Sequence, residues 1–136
     1  MANLTLGVIE TVSKFLIGCT SNVFLLLFLI TCGLLLAGMV MDPVTLYFIT
    51  LPILMPVVIK FQWNPIWFGV VVTIALAIGQ VTPPVAVNLY VACRIADLSI
   101  EEVSKEAFRF AFGAFLGLLI VLYFPVLATW LPTFMR

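Results

Sequence analysis

From Phe61 to Cys93 the chain carries no formal charge, and Gly79-Gln80-Val81-Thr82-Pro83-Pro84 interrupts the run. As one continuous helix the run would be about 50 Å long, against a hydrocarbon core of about 30 Å. Two adjacent prolines forbid that continuity. Pro83 and Pro84 have no backbone N–H, so the carbonyls of Gly79 and Gln80, four residues earlier, lose their helical donors. Thr82 precedes a proline and is turned away from the helical region. Freed carbonyls and a hydroxyl would then meet at membrane depth, where each unsatisfied polar group costs several kcal/mol. Such a defect is retained where it lines a cavity or binds something, and discontinuous helices of this kind form ion and substrate sites. A proline kink serving helix packing alone is the plainer account of the same residues.

Composition places the chain in a bilayer. It is 65% hydrophobic and 9% charged, with no histidine and a net charge of zero. A soluble domain of 136 residues needs more polar surface than this, which makes the expected class all-α integral membrane, with lipid as its surroundings. Charge balance argues against nucleic acid as a partner. Cys19, Cys32 and Cys93 have no metal-ligand spacing and read as small buried hydrophobes. Leu16-Ile17-Gly18-Cys19 resembles a lipoprotein cleavage site, but the apolar run before Cys19 is short. Glu10 sits where a signal peptide would be basic.

Residues 1–22 read as a lead-in, polar or the end of an earlier helix, and residues 23–59 as a helical hairpin. Only Asp42-Pro43 separates its arms. Asp42 suits an N-cap and Pro43 the first helical position, which gives a nearly loopless reversal. A tip without a polar loop is better tolerated inside protein than at lipid, favouring a re-entrant hairpin; two short full spans are the alternative. Pro52 and Pro56 should kink the second arm. Phe61, Trp63, Trp67 and Phe68 read as an interfacial aromatic belt. Residues 60–95 then form a discontinuous transmembrane helix broken at 79–84, with arms near Ile66–Ile78 and Val85–Cys93.

The charge-dense stretch 97–110 reads as an amphipathic surface helix, with Ser99 and Glu102 as a capping box and Ile100, Val103, Ala107 and Phe110 at helical spacing. Residues 111–136 read as a final transmembrane helix. Gly113 and Gly117 make a small-xxx-small pattern for close helix approach. Orientation is not settled by charge: Arg94, Lys105 and Arg109 fall on one side, and Lys14, Lys60 and Arg136 on the other.

Asp42 is the one formal charge between Lys14 and Lys60. A plain cap explains it, yet a carboxylate at membrane depth is also a candidate ion ligand. Asn88 lies close enough to the break to join a cavity or to bond between packed helices. Catalysis has little support, because no histidine is available for a nucleophile–base pair and no paired carboxylates lie at membrane depth.

Several blocks, in order, resemble the large membrane subunit of a tripartite ATP-independent periplasmic (TRAP) transporter. They are Gly38-x-x-x-Asp42, Leu51-Pro52-Ile53-Leu54-Met55-Pro56, Asn64-Pro65-Ile66-Trp67-Phe68-Gly69, and Ile78-Gly79-Gln80-Val81-Thr82-Pro83-Pro84-Val85-Ala86-Val87-Asn88-Leu89. The resemblance implies an ion-transporter-superfamily fold of two inverted repeats, each with a hairpin and a broken helix, working as a sodium-driven elevator. It implies a multi-pass protein of the bacterial inner membrane that is not an enzyme and uses no cofactor beyond sodium as coupling ion. Its partners would be a small membrane subunit and a periplasmic substrate-binding protein that delivers an organic anion such as a dicarboxylate or sialic acid. Carried onto this chain, Asp42, Gly79, Gln80, Val81, Thr82 and Val85 would bind sodium, and Pro83, Ala86 and Asn88 would line the substrate cavity. Gln62 and Ala86 stand where glycine is usual, and Asn64 where aspartate is common. The length matches the second repeat alone, so a fragment that needs the first repeat is expected. A structural or accessory membrane subunit is the alternative.

Overall fold

The computed structural model describes residues 2–19, 22–83 and 86–135, which form seven helices. They are α1 (Ala2–Cys19), α2 (Val23–Val40), α3 (Pro43–Lys60), α4 (Pro65–Val81), α5 (Val87–Ala96), α6 (Ile100–Tyr123) and α7 (Val126–Phe134). Helices α2, α3 and α6 are each long and apolar enough to cross a membrane. At 18 residues, α2 and α3 are each about 27 Å long.

The helix starts are set by local chemistry. The Asp42 carboxylate accepts from the Thr45 N–H at 2.9 Å, with Pro43 in the first turn of α3. Asn64 does the same for α4, accepting from the Ile66 N–H at 2.9 Å ahead of Pro65. Ser99 accepts from the Glu102 N–H at 3.4 Å, the cap half of the expected box, while the Glu102 carboxylate accepts from the Ser99 hydroxyl at 2.9 Å. Each cap satisfies a donor that the first helical turn leaves over.

Helix α4 is the hub. Its buried residues Trp67, Phe68, Val71, Val72, Ala75, Leu76 and Gly79 recur at helical spacing and meet α2 on one side and α6 on the other. The main core joins this stripe to Leu26, Ile30 and Leu34 of α2, to Val57 and Val58 of α3, and to Leu118 of α6. Helix α3 packs mostly on α1, and α2 and α3 share few contacts, so the two arms diverge from their common tip. Helix α3 runs unbroken through Pro52 and Pro56, both on its exposed face. A smaller cluster of Ala86, Leu89 and Cys93, with Val103 and Ala107 against it, fastens α5 to α6.

Four sequence expectations are corrected. Residues 97–110 and 111–136 are not a surface helix followed by a separate span. One helix of 24 residues runs from Ile100 to Tyr123, because no proline or glycine interrupts 101–112 and propagation is favourable once the cap has nucleated the helix. It stops where Pro125 cannot donate. The aromatic quartet is not one belt. Trp67 and Phe68 are buried in the core, while Phe61 and Trp63 are partly buried against it, Trp63 stacking on Phe61 and Phe68 with ring centroids 5.3 and 6.0 Å away. Gly113 and Gly117 make no close helix contact among the described residues, since a Cβ on either would have no neighbour within 4 Å; the close approach occurs elsewhere. The first arm of the broken helix extends beyond Ile78, through Gly79, Gln80 and Val81.

Candidate functional site at the hairpin tip and helix break

The close approach joins Gly38, near the end of α2, to Gly79, near the end of α4. A Cβ on Gly79 would lie 2.8 Å from the Leu35 carbonyl oxygen and 2.9 Å from Gly38 Cα, closer than packed atoms come. A Cβ on Gly38 would lie 3.3 Å from the Leu76 carbonyl oxygen. Only hydrogen fits at Gly79, and a methyl at Gly38 would be tight, so the two backbones come close together. The crossing sets the hairpin tip, Met41-Asp42, against the break.

Gln80 seals this junction. Its side-chain amide is buried and donates to the Gly38 carbonyl at 3.0 Å and to the Met41 carbonyl at 2.9 Å. Two carbonyl acceptors decide which end of the amide faces them, since only the NH2 can donate. Both carbonyls belong to the C-terminal end of α2, where helical donors have run out. Sequence reasoning points to Gln80 for its backbone carbonyl and misses its side chain. The available signal is that Gln80 is the sole amide side chain between Asn64 and Asn88.

At the break itself, the prolines free fewer carbonyls than their number suggests. The Thr82 N–H donates to the Gly79 carbonyl at 3.2 Å, which closes a tighter last turn. The Thr82 hydroxyl donates to the Ile78 carbonyl at 2.6 Å. Gly79 is therefore satisfied. Gln80 differs, because the residues three and four places on are Pro83 and Pro84, and neither has an N–H. The Thr82 oxygen, its proton already committed, keeps lone pairs for an electron-poor partner.

Asp42 is exposed and its carboxylate caps α3 as described. Val81 and Thr82 are half-buried, and Val85 lies outside the described residues. The residues assigned to a substrate cavity do not share one in this chain. Ala86 is buried in the α5–α6 cluster, Asn88 is exposed on α5, and Pro83 edges an open depression with Ser104, Lys105, Phe108 and Arg109. Arg109 in turn is paired with Glu106 at 2.7 Å.

Of three left-handed non-glycine residues, Gln62, Ala86 and Asp97, the first two coincide with the two departures from glycine. Gln62 has φ 55° and Ala86 has φ 34°, both in the left-handed region where glycine is free of strain. Ala86 precedes α5, and its conformation re-aims the chain after the prolines.

Chemically, the junction offers backbone carbonyls, a hydroxyl and one carboxylate. Among the described residues no group of three or more His, Cys, Asp or Glu could hold a metal ion. An all-oxygen set of this kind suits hard cations rather than soft transition metals.

Comparison with known proteins agrees with this architecture. The family profile described as "Tripartite ATP-independent periplasmic transporter, DctM component" matches residues 2–127. The isethionate TRAP transporter permease protein DctMQ of Oleidesulfovibrio alaskensis is 37% identical over 117 residues, covering 86% of this chain and 18% of that protein. The C4-dicarboxylate TRAP transporter large permease protein DctM of Vibrio cholerae is 39% identical over 100 residues, covering 74% of this chain and 22% of its own length. The sialic acid TRAP transporter permease protein SiaT of Haemophilus influenzae is 35% identical over 106 residues, with 78% and 17% covered. The chain thus spans about a fifth of the length of these curated relatives. With a hairpin tip packed on a Thr-Pro-Pro helix break and a family match over nearly its whole length, the chain belongs to the DctM family of TRAP transporter large permease components.

Proposed function

We propose that this chain supplies one repeat of a sodium-coupled carrier for an organic acid, and that the tip–break junction is its ion site. The observation that supports the reading is the hydrogen bond of Gln80, one turn before the helix break, to the Met41 carbonyl, next to Asp42 at the hairpin tip. Sodium is cargo here. Asp42 supplies the negative charge, and Gln80, Val81 and Thr82 supply neutral oxygens, with Gly79 giving the backbone access. The backbone at Val85 is assigned to the same ion site, and Pro83, Ala86 and Asn88 to a substrate cavity that would form only with the facing repeat. The tip is placed within the membrane as a re-entrant hairpin, because a carboxylate and several carbonyls there need a protein or water-lined surface.

The relatives are named as isethionate, C4-dicarboxylate and sialic acid carriers, whose shared chemistry is an anionic organic acid. The substrate of this chain is assigned to that class. Its work is carriage across the bacterial inner membrane rather than catalysis. A small membrane subunit and a periplasmic binding protein complete the tripartite assembly that the family description names.

The test uses the complete permease with its partner components in liposomes. Uptake of a labelled organic acid should require a sodium gradient, and sodium should raise the melting temperature of the purified protein relative to choline at equal ionic strength. Uptake and melting that ignore sodium would refute the ion site and leave the break a packing device.

A further inference from the structure

We infer that Gln80 is a positioning residue that locks the hairpin tip to the broken helix, so that ion occupancy at the break is transmitted to the hairpin. The inference rests on the sodium-site reading above and deepens it. Three observations carry it. The Gln80 amide donates to two carbonyls of one partner segment, Gly38 and Met41, and is buried while doing so. The Gly38–Gly79 crossing leaves no room for a side chain on Gly79 and little on Gly38, which brings the two backbones together beside the amide. The same residue has a main-chain carbonyl whose usual helical donors, three and four residues on, are replaced by Pro83 and Pro84. One residue therefore joins the element that is short of a donor to the element that is short of two.

The consequence is mechanical. Helices α2 and α3 share few contacts beyond their tip, so the tip is held by what it touches on α4. If the amide is removed, the Gly38 and Met41 carbonyls need new donors and the tip is free to leave the break. A cation that needs ligands from both sides would then have to assemble its own site, which weakens binding without altering the ligands themselves.

The experiment measures uptake by the complete reconstituted transporter against sodium concentration, for Gln80→Met, a near-isostere without donors, and for Gly38→Ala. The added methyl of Gly38→Ala would lie 3.3 Å from the Leu76 carbonyl oxygen and so pushes the tip away without touching Gln80. Both variants should raise the half-saturating sodium concentration about tenfold, the size of roughly one net hydrogen bond of preorganisation. Maximal uptake at saturating sodium should be retained in Gly38→Ala. In Met41→Cys, sodium should slow labelling by an impermeant maleimide, and adding Gln80→Met should abolish that protection. Should Gln80→Met not accumulate as folded protein, Gly38→Ala and the labelling of Met41→Cys in the Gly38→Ala background decide the matter. Half-saturating sodium that stays within about twofold of the parent in every folded variant, with protection intact, overturns the lock. A parent protein indifferent to sodium would instead overturn the ion site itself, so the two failures are distinguishable.

Discussion

The indole N–H of Trp67 donates to the carbonyl of Val121 at 2.8 Å. That carbonyl is the one Pro125, four residues later, cannot serve, and the Phe124 N–H between them is taken by Ile120 at 2.8 Å. A buried side chain of α4 thus answers a defect in α6, as Gln80 answers one in α2. Trp67→Phe should destabilise the protein by about 1–3 kcal/mol, the cost of a buried acceptor left unpaired plus some lost packing. Pro125→Ala restores a local donor, so the double variant should recover part of that loss. Melting temperatures of the two single variants and the double close the cycle; strictly additive losses would show that the indole bond and the proline defect are unrelated.

Asp42 separates its two roles by one atom. Asp42→Asn keeps an acceptor for the Thr45 N–H, so helix α3 should start as before and stability should change by a few tenths of a kcal/mol. A sodium ligand would be weakened by the same change. The expected outcome is normal accumulation with uptake that needs more sodium. Unchanged sodium activation would leave Asp42 as a cap and nothing else.

The two prolines should be unequal. Pro83→Ala offers a donor four places on from the Gly79 carbonyl, which Thr82 already serves, and reaches Gln80 only in the tighter three-residue register. Pro84→Ala offers the Gln80 carbonyl a donor in the α-helical register. Half-saturating sodium should therefore rise about tenfold for Pro84→Ala and by less for Pro83→Ala. The reverse order would show that the assignment of donors to carbonyls at the break is wrong.

Two of the three left-handed residues also make different predictions. Gln62 is exposed, so Gln62→Gly should stabilise by about 1 kcal/mol through relief of backbone strain, less what its side chain gains by donating to the Ile59 carbonyl. Ala86 is buried, and its glycine variant loses a methyl group whose burial is worth about 0.8 kcal/mol, which offsets most of the relief. A thermal melt should shift upward for Gln62→Gly and hardly move for Ala86→Gly. A β-branched residue at 86 should lower it clearly, since such a side chain fits that region worst.

What could be read from the residues was whatever a residue does to its near neighbours. Asp42-Pro43 starts a helix, Ser99 caps another, and Pro83-Pro84 ends a third, because each effect is a donor or acceptor within four positions. The all-helical membrane class followed from composition for an equally local reason, the absence of charge to meet water. What tertiary structure decided was which distant group answers each defect. Gln80 reaches Gly38 across 42 positions and Trp67 reaches Val121 across 54. Trp67 and Phe68, which composition assigned to the membrane surface, went into the core, and glycines that looked ready for contact at 113 and 117 were left open while Gly38 and Gly79 met. Spacing along a helix tells which residues share a face. Which face another helix covers depends on packing the whole chain, and that is settled only when α4 becomes the hub and five other helices share its surface.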